Sequence, residues 1–248
     1  MTENVKDTKD LCLKIHKFFS KLPKYKMSDI KIAQQNNRDI IGGVYVMFEE
    51  GEDYHGYPRI TRVGTHQADN KSAPDLPSKK QSVWKRMMQH YGHAKDLLGR
   101  KDGSIFRKNV GIAMLKKKPE DSYYIEAWLF DRTTPKNREK YDSDKSKVPY
   151  DKKKQDEIEM KVSDYIRNKI SFVVIPINNR KKRHDFEYGL ISAICQASDF
   201  TPSKKWLGNF NDKEKIKQSR MWVSDGIDDE PLTDEEFEEI KQCCKLFK

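Results

Sequence analysis

Apolar residues recur at helical spacing in two parts of the chain, residues 11–22 and 82–93. In the second segment they fall at positions i, i+3, i+4 and i+7, which predicts one buried helical stripe formed by Trp84, Met87, Met88 and Tyr91. Arg86, His90 and His93 share the opposite stripe, which we expect to be polar and exposed. Further helices are predicted over residues 104–115, 158–170, 185–197 and 234–246.

Three runs rich in β-branched and aromatic residues predict strands over residues 40–48, 59–65 and 172–177. A turn-like Glu-Glu-Gly-Glu-Asp segment at 49–53 follows the first run, so the first two strands are expected to form an antiparallel hairpin. Residues 67–77 are polar and contain proline, which indicates a loop, and residues 122–130 resemble a strand. Residues 131–156 are almost entirely polar, which is typical of a surface insertion or a disordered loop.

The chain is basic overall, with 49 Lys and Arg against 39 Asp and Glu, a net charge of +10. Residues 225–239 are strongly acidic, so the rest of the chain is more basic than the total indicates. This favours a polyanionic partner, although a lysine-rich protein without such a partner has the same balance. The four cysteines show no ligand-like spacing, so we expect neither a disulfide framework nor a zinc site.

Membrane and export signals are also missing from the sequence. No apolar run approaches the roughly 20 residues that span a bilayer. The N-terminus has no apolar stretch of the kind found in signal peptides. We therefore expect a cytoplasmic protein that does not enter a membrane.

Candidate chemistry lies in a few motifs that follow one another in a fixed order. Gly43-Val44-Tyr45 belongs to the first strand and Arg62-Val63-Gly64 to the second, while Arg86 and His90 follow on a helix and Glu187 on a late helix. An aromatic hydroxyl, an arginine, a histidine and a carboxylate together are typical of a site that cuts phosphodiesters. Each residue also has an ordinary explanation, such as a packed strand tyrosine, a solvated arginine or a glutamate in a first helical turn.

Five sequence blocks in this order resemble the GIY-YIG nuclease family: RVGTH, SVWKRMMQHYG, GSIFRKNVGIAML, DFEYGLISAI and SKKWLGNF. The resemblance covers roughly residues 40–210 and implies an α/β (α+β) fold with a small three-stranded antiparallel sheet flanked by helices. We expect an N-terminal helical extension at 1–38, the nuclease domain at 39–215 and an acidic C-terminal tail with a short helix at 216–248. The charged insertion at about 131–156 lies inside the nuclease domain.

Carried over position by position, the resemblance implies a role for five residues. Tyr45 matches the tyrosine of the first motif, Arg86 the arginine of the first helix, and His90 a histidine one turn later in several members. Glu187 matches the metal-binding glutamate, which implies Mg²⁺ or Mn²⁺ as the cofactor. Asn209 is a counterpart of the late asparagine, although the spacing around it is unusual.

One position departs from the family pattern, because Arg62 lies where the second tyrosine normally is. Tyr45 is then the better candidate base, or else it orients the attacking water without losing its proton. Acting as a base near pH 7 would require a pKa lower by about 3 units than the reference value of ~10. Either Arg62 or His66 would supply the missing hydrogen bond or charge.

The resulting hypothesis is a metal-dependent DNA endonuclease, of which a restriction or genome-defence enzyme is one form. Arg107, Lys108, Lys204 and Lys205 are candidate contacts to the nucleic-acid backbone, together with Asn209. The alternative is a nucleic-acid-binding module without catalysis on the same fold. RNA is not excluded as the substrate, and an enzyme that cuts both strands of a duplex is often a homodimer.

Overall fold

Ten α-helices and five β-strands form the part of the chain that the computed structural model describes, residues 7–37, 40, 42–66, 69–70, 73–77, 82–92 and 95–245. The helices are α1 (Lys9–Ser20), α2 (Ile30–Asn36), α3 (Val83–Tyr91), α4 (Ile105–Lys117), α5 (Ile125–Leu129), α6 (Pro135–Ser143), α7 (Lys152–Lys169), α8 (Arg180–Cys195), α9 (Glu214–Ser219) and α10 (Asp234–Lys245). The strands are β1 (Gly43–Tyr54), β2 (Tyr57–Thr65), β3 (Asp69–Asn70), β4 (Ala73–Pro77) and β5 (Ile170–Pro176).

The central sheet has three strands in the order β2-β1-β5, and β1 is antiparallel to both neighbours. In this register Tyr45 of β1 lies opposite Gly64 of β2 and Val174 of β5. The strands β3 and β4 form a separate two-stranded antiparallel sheet. The expected α/β fold with a three-stranded antiparallel sheet flanked by helices is confirmed.

Both faces of the sheet are buried, because side chains along β1 alternate between two cores. Val44 and Val46 face one core, which α1, α8 and α10 complete. Tyr45 and Met47 face the other core, which α3, α4 and α7 complete. The helical stripe predicted from the sequence packs here, with Trp84 among its fully buried residues. Within the described residues, no helix is both long and apolar enough to cross a lipid bilayer.

The turn predicted at residues 49–53 is wrong, because β1 continues to Tyr54. The strand accommodates the polar segment through an irregularity in its pairing with β2 between Phe48 and Asp53. The chain reverses instead at His55 and Gly56, whose φ angles of 51° and 82° are in the left-handed region. A glycine is suited to that conformation because it has no Cβ.

The strand-like run at 122–130 is helical in the structure, with a 3-10 helix at Pro119–Tyr124 followed by α5. The reason is tertiary, because the indole of Trp128 packs where a Cβ on Gly111 of α4 would lie only 2.3 Å away. The insertion at 131–156 contains α6, none of whose residues is buried, so it lies on the surface. Residues 69–70 and 73–77, expected in a loop, form β3 and β4.

The C-terminal segment packs into the protein in spite of its acidic composition. Phe237 and Ile240 of α10 are buried in the core that contains Val44. The backbone N–H of Trp222 donates to the carbonyl oxygen of Thr61 at 2.7 Å, which satisfies a group on β2 at the edge of the sheet. The domain boundaries at residues 38 and 215 stay predictions.

His16 on α1 is fully buried and is held in one neutral form. Its Nε2 accepts a hydrogen bond from the backbone N–H of Ile60 at 3.1 Å, so Nδ1 carries the proton and donates to the Cys12 carbonyl oxygen at 2.8 Å. Burial lowers the pKa of His16 from 6.5 to about 4. A second proton on Nε2 would point at the Ile60 N–H and break this contact.

We predict that the protein becomes less stable as the pH falls below 7, and that the titration of His16 is one cause of this. A depressed folded pKa gives stability that is complete above the unfolded pKa and is lost as the pH falls toward the folded pKa. The free energy of unfolding should therefore fall between pH 7 and pH 5, and His16→Gln should reduce that fall by about 2 kcal/mol. Urea unfolding at both pH values measures this, with exposed His55→Gln as the control. An equal fall in wild type and His16→Gln would contradict it.

Candidate active site

A cleft of about 140 Å³ opens beside β2, between α8 on one side and the start of α4 on the other. Three of the residues predicted from the sequence line it, namely Arg62, Arg86 and Glu187. His184 and Asp225 are further ionisable groups on its walls. The structure therefore brings together residues from β2, α3 and α8 that are far apart in the sequence.

Tyr45 is fully buried and lies behind Arg62 instead of on the cleft wall. An Arg62 guanidinium nitrogen, NH2, lies 3.4 Å from the Tyr45 hydroxyl and donates to it. On the neighbouring strand, a Cβ at Gly64 would lie 2.3 Å from the same hydroxyl. Glycine at the end of the Arg62-Val63-Gly64 motif is therefore required for the Tyr45 ring to lie across β2.

His90 is also fully buried, and it links Tyr45 to α4. Its Nε2 lies 2.9 Å from the Tyr45 hydroxyl, and its Nδ1 lies 2.8 Å from Oγ of Ser104, the residue that caps α4. Burial, reinforced by the charges of Arg86 and Arg62, lowers the pKa of His90 well below 6.5. The histidine is therefore neutral, with one nitrogen that donates and one that accepts. The expectation that His90 is exposed is wrong, because its ring packs against Phe106 of α4.

Arg62 and Arg86 each use only some of their guanidinium nitrogens for hydrogen bonds to the protein. Arg62 donates to the backbone carbonyl oxygen of Trp222, and Arg86 donates to the carbonyl oxygen of Gly103 at 2.9 Å and to Gln89 Oε1 at 3.0 Å. The Nε atoms of both arginines are buried and find no hydrogen-bond partner among the described residues. An unpaired buried donor costs about 1–3 kcal/mol, so the cleft wall carries two donors suited to an acceptor such as a phosphate oxygen.

Glu187 is a largely buried carboxylate, since only 15% of its side chain is exposed, and it belongs to the interior of α8, which begins at Arg180. Stabilisation by the first helical turn therefore does not explain this residue. His184 Nδ1 lies 3.6 Å from Glu187 Oε2, and this neighbouring carboxylate raises the pKa of His184.

The residues present fit a magnesium or manganese ion held by one carboxylate. Across the described part of the chain, no three His, Cys, Asp or Glu side chains are close enough to hold a metal ion together. Mg²⁺ commonly binds through one or two carboxylates while substrate phosphates and waters complete its shell. Glu187, which lines the same cleft as Arg62 and Arg86, fits that kind of incomplete site.

The family model of the GIY-YIG domain matches residues 13–245, which is most of the chain. The protein belongs to the GIY-YIG domain family. No curated protein and no solved structure gives a match. Family membership indicates a nuclease with a nucleic-acid substrate, and GIY-YIG nucleases are generally dependent on a divalent metal.

The remaining predicted residues of this GIY-YIG protein do not line the cleft. His66 is 3% exposed and does not line the cleft. Lys108 lies 3.5 Å from Asp102, with 20% of its side chain exposed. Asn209 donates from Nδ2 to the carbonyl oxygen of Ser203 at 2.8 Å on the surface. Exposed Lys204 lies outside the cleft, exposed Lys205 lines a separate pocket of about 430 Å³, and His93 lies outside the described residues.

Arg107 has a structural role that excludes the predicted contact with nucleic acid. It is fully buried, its Nε donates to Glu159 Oε2 at 3.0 Å, and its NH1 donates to the carbonyl oxygen of His90 at 2.9 Å. The guanidinium therefore ties α4 to α7 and to the end of α3. The positive charge is inside the protein, where a phosphate does not reach it.

Two residues that position the site were not identified from the sequence. Ser104 caps α4 by accepting from the Arg107 N–H at 3.3 Å, and the same hydroxyl contacts His90. A serine before a helix is a recognisable capping signal, so Ser104 had a detectable pattern. Trp222 contacts Arg62 through its backbone oxygen, and no side-chain pattern reveals such a contact.

We predict that Arg107→Met lowers the free energy of unfolding by about 3–5 kcal/mol, because Glu159 would be left as an unpaired buried charge. Urea unfolding at neutral pH measures the change. Lys108→Met is the matched control, and it should cost less than about 1 kcal/mol because its ion pairs are partly solvated. Wild-type stability in Arg107→Met would show that the pair with Glu159 is not structural.

Proposed function

We propose that this GIY-YIG protein is a metal-dependent endonuclease that hydrolyses DNA phosphodiester bonds in the cleft beside β2. The observation that carries the proposal is the set of residues that line one cleft: two arginines, each with a buried Nε–H that has no hydrogen-bond partner among the described residues, and the carboxylate of Glu187. A guanidinium is planar and matches the oxygens of a phosphate. The net charge of +10 supports the association with a polyanion.

In the proposal, Arg62 and Arg86 bind the non-bridging oxygens of the scissile phosphate and stabilise the charge that develops there. Glu187 would hold the Mg²⁺ or Mn²⁺, which when bound polarises the phosphate and acidifies a water molecule. His184 contacts the same carboxylate from within α8 and so limits its side-chain conformations.

Tyr45 and His90 are proposed to handle the proton of the attacking water. If His90 Nδ1–H donates to Ser104 Oγ, its Nε2 accepts the proton of the Tyr45 hydroxyl. The Tyr45 oxygen then has a lone pair on the side of Arg62, and this lone pair can accept a hydrogen bond from a water molecule. Because Arg62 lies between the hydroxyl and the cleft, a phosphate that draws the guanidinium outward would open this path. Tyr45 acts in this way either as the base or as the group that orients the water.

The finer features of the proposal are a DNA substrate, a restriction or genome-defence role and a homodimer. Digestion of a plasmid panel with end-sequencing of the products tests the first two. Sedimentation with and without duplex tests the third. Random fragment ends, or cutting of RNA alone, would contradict the restriction role and the DNA substrate respectively.

We predict that Glu187→Gln reduces Mg²⁺-dependent cleavage of labelled duplex DNA by roughly a thousandfold or more, since a metal ion contributes several kcal/mol to the transition state. Binding of the same duplex in EDTA should stay within a few-fold of wild type, because the lost carboxylate does not attract phosphate. Exposed Glu120→Gln makes the same charge change outside the cleft and should cut normally. Normal cutting by Glu187→Gln would remove Glu187 from the proposed site.

We also predict that Tyr45→Phe lowers the cleavage rate by about 10²–10⁴-fold, the usual contribution of a positioned proton-transfer group. The ring still fits across Gly64, so circular dichroism should be unchanged, whereas loss of the hydrogen bond to His90 should lower the free energy of unfolding by about 1–3 kcal/mol. Single-turnover rates under saturating enzyme measure the effect on the chemical step. A wild-type rate in Tyr45→Phe would exclude Tyr45 from the reaction and leave only its packing role.

The alternative function is a nucleic-acid-binding module without catalysis, and the complete burial of Tyr45 favours it. Incubation of labelled DNA with Mg²⁺ or Mn²⁺ distinguishes the two, with EDTA as the control. Fragments that form only with the metal support the endonuclease. Binding without fragments under all conditions would favour the module.

A further inference from the structure

Asn109 is a buried polar residue that lines the cleft, and neither the family resemblance nor the proposed reaction assigns it a role. It belongs to α4, and its side chain is 1% exposed. Its Oδ1 accepts a hydrogen bond from Lys213 Nζ at 2.7 Å, and its backbone oxygen accepts one from Asn211 Nδ2 at 2.9 Å. The residue is therefore anchored on two sides by the segment before α9.

The contact with Lys213 decides which way the amide of Asn109 faces. An ammonium group has donors and no acceptor, so the Asn109 atom beside it must be the oxygen. Lys213 does not line the cleft, whereas Asn109 does. The Nδ2 amino group at the other end of the amide has no hydrogen-bond partner among the described residues. Buried amide donors are nearly always paired, so this donor requires an explanation.

Two other residues that line the cleft, Arg62 and Arg86, each carry a buried Nε donor that is also unpaired among the described residues. Three donors from residues that line one cleft call for a partner that has several acceptors and no donors. The non-bridging oxygens of a phosphodiester meet this requirement, and asparagine side chains are common donors to nucleic-acid phosphates. A base edge fits less well, since it presents donors as well as acceptors.

We propose that Asn109 is a substrate-binding residue whose Nδ2 donates to a phosphate oxygen of the nucleic acid in the cleft, while Lys213 holds its amide in the required orientation. The inference rests on the proposed function, since it assumes that a phosphodiester enters this cleft. Asn109 adds a directional contact beside the two arginines without adding charge. The contact therefore favours one position of the phosphate in the cleft, which the general attraction of a basic surface does not do.

Asn109→Asp tests this with little change in shape. The variant keeps an oxygen for Lys213 and replaces the Nδ2 donor with an acceptor that repels phosphate. We expect its affinity for a labelled duplex in EDTA to fall by about tenfold to a hundredfold, as for the loss of a hydrogen bond to a charged group. Its thermal midpoint should not fall, because the new carboxylate pairs with Lys213. Exposed Asn36→Asp on α2 makes the same charge change and should bind within about twofold of wild type.

A measurement on the wild-type protein decides the question even if the variant folds poorly. In ¹⁵N-labelled protein with EDTA, the side-chain amide resonances of Asn109 should shift when duplex is added, and those of Asn36 should not. Unshifted Asn109 resonances in the bound state would overturn the inference. If wild type binds and cuts DNA while Asn109→Asp binds equally well, the inference alone fails. If wild type neither binds nor cuts DNA, the proposed function fails and the inference fails with it.

Discussion

The hydrogen bond between the Tyr45 hydroxyl and His90 joins the sheet to two helices in the interior of the protein. His90 belongs to α3, and through Ser104 it also contacts the cap of α4. Because an unpaired polar group in such a dry place costs about 1–3 kcal/mol, the three side chains restrict one another to a single arrangement. Arg86 lies one helical turn before His90, so the bond that fixes α3 also fixes this arginine at the cleft.

The charges that face the cleft act on this buried chain of hydrogen bonds as well. Arg86 and Arg62 add to the effect of burial in lowering the pKa of His90. Under the proposed function, a phosphate between the two guanidinium groups would cancel much of their field at the imidazole and raise its affinity for a proton. The proton acceptor would then become stronger when the substrate is bound, which is when Tyr45 has a proton to transfer. Substrate binding and proton transfer would thus be coupled through Coulomb interactions over a few ångströms.

The features that the sequence predicted correctly depend on the residue pattern of one segment and on the one element that packs against it. The apolar stripe of α3 and the three strands of the sheet followed from periodicity. The family pattern selected Arg62, Arg86 and Glu187, which line one cleft in the structure. His90 was expected to be exposed because periodicity identifies one buried face, whereas α4 covers a second face of the same helix. Residues 122–130 were expected to form a strand because aromatic residues favour strands, but the packing of Trp128 on Gly111 of α4 overrides that propensity.

The C-terminal segment shows most clearly why composition alone misled. The acidic composition of residues 216–248 indicated a tail and gave no sign of the role of Trp222. The backbone of Trp222 binds both Thr61 and Arg62, and its indole N–H donates to buried Glu49 at 3.0 Å. Three residues later, Asp225 also lines the cleft. One segment thus holds Arg62 through a hydrogen bond and adds a second carboxylate to the cleft. In the proposed function, a phosphodiester in the cleft meets Arg62 and Arg86 as well as the two carboxylates, and a divalent cation at Glu187 would offset part of the negative charge there.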